Sequence, residues 1–314
     1  MAVNELVLVT GAVGTLGQVL IPMLLERGHD VRAIDVRMPA TQDQRVDWQA
    51  VDLRDPGAVG RAADGVTLAI HGAAWHGIHL KEHPPRDFWE LNVDGTFNLY
   101  AACAAAGTRT IILSSTMGVY GTAGVPPDDG GAIRIHEGLA PQPTDIYGAS
   151  KLLCEELAAF YARSGGIRGV ALRYGMFVPE PFGHYGVRML YGGVDERDVA
   201  SAVLAALERA DAGLPFGAYN IMSALPYTDD DARDLRTDPM AVVRRHWPDA
   251  EGLMERADAT PWGPVHNWYD VTRARSDLGW QPRWNFTEFL EAVRAGLTDA
   301  SAIEPMLGRD RTVE

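Results

Sequence analysis

Cysteine is almost absent from this 314-residue chain, with Cys103 and Cys154 the only two. Two thiols cannot build a disulfide framework or a thiolate metal cluster. Each falls among apolar residues in a helical pattern, so both are expected to be small buried side chains. Positive charge is also scarce, since 28 Lys and Arg face 42 Asp and Glu for a formal net charge of −14. Nucleic-acid binders concentrate cations to displace phosphate counterions, so no nucleic-acid partner is expected. A local cationic pocket for an acidic substrate stays compatible with that total. Long hydrophobic runs are missing too, and no stretch reads as a bilayer span. The N-terminus enters an apolar segment without a basic leader. The expectation is a protein of the reducing cytoplasm, with no membrane partner.

What is present reads as a folded α/β chain. Hydrophobic residues make up 46%, enough for one large domain with or without a smaller lobe. Apolar runs predict strands over 6–10, 29–34, 46–51, 67–71, 110–114 and 170–172. Helical patterns lie over 87–106, 147–164, 196–210 and 285–297. Gly107 and Gly165-Gly166 stand where helices would stop. This alternation predicts a parallel sheet with helices on both faces. After Arg173 the alternation loosens, and 223–275 brings prolines, tryptophans and Asp229–Asp231.

The first strand runs into GAVGTLG, which spaces Gly11, Gly14 and Gly17 as GxxGxxG before a helix. Glycine allows the sharp turn and close backbone approach, and the helix N-terminus offers amides to a pyrophosphate. Asp35 closes the next strand, where a carboxylate binds an adenosine ribose. That carboxylate would repel a 2′-phosphate, which favours NAD over NADP, and Arg37 nearby weakens the preference. Asp52-Leu53 follow the third strand and are open to two readings, an adenine-edge contact or a helix cap.

The sequence YGASK puts Tyr147 and Lys151 four residues apart on one helix face. A nearby ammonium favours tyrosinate and eases proton abstraction from an alcohol. Thr116, in SSTMGVYG just past an apolar strand, has a hydroxyl able to orient the reacting oxygen, or to cap a turn.

With GAVGTLG, Asp35, Asp52-Leu53, HGAA, NVDGTFNLYAA, SSTMGVYG, YGASK, LRYG and LGWQP in order, residues 4–298 resemble the extended short-chain dehydrogenase/reductase family, in its NAD-dependent epimerase/dehydratase branch. The resemblance implies a Rossmann-type doubly wound parallel sheet with a small C-terminal substrate lobe. Residues 1–173 would form the NAD-binding core with the catalytic Thr and YxxxK. Residues 174–306 would complete the core and build the lobe, and 307–314 would be a tail. It also implies Thr116, Tyr147 and Lys151 as the catalytic group, with Tyr147 and Lys151 beside the nicotinamide ribose and the Ala73-Ala74 backbone against the cofactor. Asn92 matches a position that organises the active site, or is a polar residue at a helix start. Arg173 lies where relatives approach cofactor and substrate, and reads as an anion receptor or a structural ion pair. Helices over 95–106 and 147–164 would pair two copies into a homodimer through Leu99, Leu152, Leu153 and Leu157, or those residues would pack internally.

Departures from the family pattern narrow the chemistry. Nucleotide-sugar dehydratases carry an acidic pair directly after the catalytic Thr, whereas Met117-Gly118 stand here. The compact stretch RYGMFVPEPFGHYGVRML resembles the shorter arrangement of sugar-acid dehydrogenases. His76, His79, His184 and Arg188 are candidate substrate contacts that also read as loop or surface residues. Trp75 and Tyr185 either cover a sugar face or pack internally. The histidines of HGAAWHGIH form no ligand constellation, so no metal is expected. The leading expectation is NAD-dependent oxidation of a hydroxyl on a small sugar or sugar acid, a polyhydroxylated substrate that is neutral or anionic. An epimerase working through a transient ketone is the alternative, and a catalytically silent NAD-sensing protein is a third.

Overall fold

Along the first strand Val7 and Val9 join one buried cluster while Leu8 joins another. A parallel strand covered on both faces needs such an unbroken apolar run. The computed structural model describes residues 5–178 and 180–296. Its first half comprises β1 (Leu6–Thr10), α1 (Thr15–Glu26), β2 (Asp30–Asp35), β3 (Val46–Ala50), α2 (Pro56–Ala62) and β4 (Leu68–His71). There follow α3 (Pro85–Phe88), a π-helical turn (Trp89–Asp94), α4 (Gly95–Ala106), β5 (Thr110–Thr116), β6 (Ile133–Ile135), α5 (Ile146–Arg163) and β7 (Arg168–Tyr174). The remainder holds α6 (Phe182–Met189), α7 (Glu196–Asp211), β8 (Ala218–Ile221), α8 (Ala232–Thr237), α9 (Pro239–His246), α10 (Ala250–Arg256), β9 (Asn267–Tyr269) and α11 (Phe286–Arg294).

Seven strands pair in parallel in the order β3-β2-β1-β4-β5-β7-β8. The chain steps outward from β1 one way and resumes at β4 the other way. The crevice between the carboxyl ends of β1 and β4 is therefore the switch point, where doubly wound sheets bind ligands. One face is covered by α1 and α7, through Leu20, Leu24, Val199 and Val203. The other is covered by α2, α4 and α5, through Val59, Leu99, Cys103 and Ala158. Both cysteines are buried and unpaired.

A second cluster, built on α6, α8, α9, α10 and α11, forms the smaller lobe. Its two-stranded sheet pairs β6 with β9. β6 precedes residue 173, so the lobe borrows from the first part of the chain, while α7 and β8 return the second part to the large sheet.

Two details differ from the sequence reading. The single helix expected over 87–106 is broken by the π-turn, which carries Asn92. Leu99, expected at a subunit surface, is fully buried on the sheet side of α4. Of the two readings of Tyr185, internal packing holds, with its hydroxyl donating to Asp195 at 2.8 Å inside the lobe. The expected tail, 307–314, lies outside the described residues.

Candidate active site

The glycine turn is shaped by close approach. Gly11 has φ +69°, and a Cβ there would lie 2.8 Å from the Ala73 nitrogen. A Cβ on Gly17 would collide with the Ala12 carbonyl oxygen as α1 crosses the turn. Gly14 N-caps α1 without a side-chain cap, which leaves that end suited to an anion. Across the crevice the nitrogens of Gly72 and Ala73 donate to Thr10 Oγ1. Thr10 Oγ1 also meets His71 Nδ1 at 2.8 Å, and His71 Nε2 meets Thr96 Oγ1 at 2.9 Å. Burial, helped by the Lys151 charge, drives His71 down to about 3, so this bridge is neutral at physiological pH.

Asp35 reaches back over the turn. It accepts from the Val13 nitrogen at 3.1 Å and from the Arg37 nitrogen at 3.0 Å. Asp52 is held by Arg54 at 2.6 Å, and this partner keeps its carboxyl below the usual range. Leu53 is buried, and its carbonyl accepts from Asn98 at 2.9 Å. The cap reading of Asp52 does not hold, because Asp55 caps α2; both Asp52 oxygens are engaged by Arg54.

At the carboxyl end of β5, Thr116 Oγ1 accepts from the Gly118 nitrogen at 3.1 Å. The start of α5, capped by Asp145, comes so close that a Cβ on Gly148 would sit 2.7 Å from the Gly118 oxygen. The Thr116 hydroxyl beside Tyr147 pulls the phenol's pKa down. Burial is the larger influence and pushes the phenol up to about 12. One turn on, Lys151 is buried and its Nζ donates to the Ser114 oxygen at 2.9 Å. Burial lowers its pKa, opposed by Cys154 and Glu155.

Asn92 is buried beneath this pair. Its Oδ1 accepts from the Trp75 nitrogen, and its Nδ2 donates to the Trp75 oxygen and to Ser150 Oγ. One side chain thus ties the loop after β4 to the residue preceding Lys151. On that loop Gly77 runs within van der Waals reach of the Tyr147 ring, and the His76 ring lies 6.1 Å from it. Trp75 stacks on His83 at 3.9 Å, with His79 against its edge.

The two candidate arginines are engaged elsewhere. Arg173 is buried and pairs with Glu155 through Nε at 2.9 Å and NH2 at 2.7 Å, which makes it an internal ion pair rather than an anion receptor. Arg188, also buried, is bound by Glu180, the Met176 oxygen and the Val194 oxygen. His184 is exposed on α6, and no described contact joins it to Tyr147 or Thr116. Sequence reading missed Tyr269. Its ring edge and the Met117 sulfur converge on Gly192, where a Cβ would lie 2.7 Å from the ring and 3.7 Å from the sulfur. Tyr269 sits on a three-residue strand, too short to carry a periodic signal.

The glycine cradle, the uncapped α1 terminus and Asp35 fit a dinucleotide, and no group of described residues fits a metal ion. The sequence model of the NAD dependent epimerase/dehydratase family matches residues 7–186. A UDP-glucose 4-epimerase of Corynebacterium glutamicum is 32% identical over 170 residues, 53% of this chain and 50% of that protein. A uronate dehydrogenase of Pseudomonas syringae pv. tomato is 33% identical over 176 residues, 55% of this chain and 60% of that protein. The chain thus spans about half the length of the curated relatives it matches. A short-chain dehydrogenase/reductase superfamily protein of Agrobacterium tumefaciens, solved with bound NAD, superposes with a TM-score of 0.71. That superposition covers 97% of this chain and 100% of the other at 21% identity, a likeness of fold.

Proposed function

This chain belongs to the NAD-dependent epimerase/dehydratase family, and we propose that it oxidises a hydroxyl of a small sugar or sugar acid, using NAD. The observation that supports this most is the convergence of Thr116, Tyr147 and Lys151 at the carboxyl edge of β5, next to the glycine cradle. Gly11, Gly14, Gly17 and the Ala73-Ala74 backbone would hold the dinucleotide, and Asp35 its adenosine ribose. Bound NAD supplies the hydride acceptor. Thr116 orients the substrate oxygen, Tyr147 exchanges the hydroxyl proton through its phenol oxygen, and buried Lys151 supplies positive charge beside it. Met117-Gly118 offer no carboxyl group for an elimination.

Arg173 and Arg188 are both committed to carboxylates and carbonyl groups. Substrate recognition on this reading falls to the His76 loop and to Tyr269. An epimerase would use the same catalytic group, returning the hydride to the other face of a transient ketone. Incubation with NAD and a panel of aldoses, uronates and nucleotide sugars, following NADH and product stereochemistry, separates the two. Turnover confined to nucleotide sugars, without NADH, would select the epimerase.

The same reading includes a homodimer. On α4 and α5, Phe97, Leu153 and Phe160 are exposed by 53%, 41% and 54%. Large apolar side chains on neighbouring helices suit a helix-to-helix contact between two copies.

A further inference from the structure

We infer that Glu155 is a positioning residue for the catalytic pair, clamping α5 against the sheet so that Tyr147 and Lys151 stand at the end of β5. Tyr147, Lys151 and Glu155 follow one another at four-residue intervals and so share the sheet-facing side of α5. The Glu155 carboxylate is buried and fully engaged. Ser115 of β5 donates to Oε1, and Arg173 of β7 donates to both oxygens. A bidentate guanidinium fixes the angle of its partner as well as its distance. Ser115 immediately precedes Thr116, so the clamp grips the helix that bears Tyr147 and the strand that bears its hydroxyl partner. No further residue intervenes.

The clamp extends away from the crevice. Arg173 NH1 donates to the Tyr120 hydroxyl at 3.1 Å, which donates to Asn220 Oδ1 at 2.7 Å. Asn220 Nδ2 then donates to the oxygens of Ile135 and Asp270, at the ends of β6 and β9. Asp270 follows Tyr269, the lobe residue beside Met117. One hydrogen-bonded line therefore runs from the catalytic helix to the end of β9 in the smaller lobe. A charge pair that served stability alone would need no such line, and an apolar pair of similar volume often serves stability equally well.

The inference rests on Tyr147 and Lys151 being the working pair of the proposed oxidation. Its test has one readout independent of substrate. Lys81 and Lys151 are the only lysines in the chain, so protein labelled at the lysine ε-carbon gives two NMR signals, assigned with Lys81→Arg. Glu155→Gln keeps the shape and removes the charge, and Ser115→Ala removes a single donor. Both variants are expected to move the Lys151 signal while the Lys81 signal stays, Ser115→Ala by less. Glu155→Gln is also expected to lower kcat on the order of 10- to 100-fold, the scale of a small misplacement of reacting groups. The KM for NAD should hold. A Lys151 signal unmoved in both variants overturns the proposal, whether or not their melting temperatures fall. If Glu155→Gln does not fold, Ser115→Ala decides alone by the same signal. Wild-type protein inactive on every sugar would remove the proposed oxidation and leave the NMR result to be read by itself.

Discussion

Tyr147 is the side chain on which the chemistry turns, and its protonation sets a pH dependence. Burial raises its pKa to about 12, so the neutral phenol dominates at pH 7 and the proton-accepting form grows as pH rises. Oxidation, which needs the base, should therefore speed up from neutral into alkaline solution at saturating NAD. A pH–rate profile that falls over that range would contradict this assignment. Tyr147→Phe keeps the ring beside Gly77 and removes the oxygen. It should lower turnover by roughly 10²- to 10⁴-fold, the usual worth of one general acid–base group, while NAD titration changes little. Asp35→Ala should erode the preference for NAD over NADP, measured by direct titration of both. An intrinsic preference of the unaltered protein for NADP would refute the role given to that carboxylate. The glycines and the YxxxK pair were legible in the sequence because their function depends on local spacing. The partners of Arg173 and Arg188 were not, because a charged side chain takes its meaning from a partner. Glu155 and Glu180 reach their arginines only once the chain is folded.

The elements were legible to the extent that each carries its own period. The strands β1 to β5 and β7, and the helices α1, α5 and α7, announce themselves by apolar runs and helical spacing. β6, β8 and β9 are three or four residues long, below the length at which alternation can be read. The π-turn escaped because its cause is tertiary, with Asn92 bonding Trp75 and Ser150. The closing LGWQPRW segment is held by Asp198 at the start of α7. Its carboxylate accepts from the Arg283 and Trp284 nitrogens at 2.8–3.0 Å, and its carbonyl accepts from Trp280 Nε1 at 3.1 Å. Asp198→Ala should cost about 1–3 kcal/mol by stranding buried donors, read as a shift of the urea midpoint. Burial raises the Asp198 pKa from 3.8 to about 6, so the folded protein binds this proton more tightly than the unfolded chain. Stability from that proton is complete below the unfolded pKa and is lost as pH rises through about 6. The gap between wild type and Asp198→Ala should therefore widen as pH falls from about 7.5 to about 5. A constant gap would mean that Asp198 does not titrate there.

At the scale of the whole molecule, one continuous sheet sets the crevice, and the smaller lobe joins β6 to helices of the second half of the chain. The exposed side chains of α4 and α5 lie on the faces turned away from that sheet. Light scattering of dilute protein should give a mass near two chains, and Phe160→Glu should return it to one. A wild-type mass of one chain would remove the dimer from the proposal. The central claim is net oxidation, and it is tested most directly by stoichiometry. With the best sugar of the panel and excess NAD, the account predicts one NADH formed per sugar consumed and no epimer recovered, with NADH formation and sugar consumption both slowed in Tyr147→Phe by the same factor as its turnover. Sugar converted to its epimer with no accumulated NADH would contradict it.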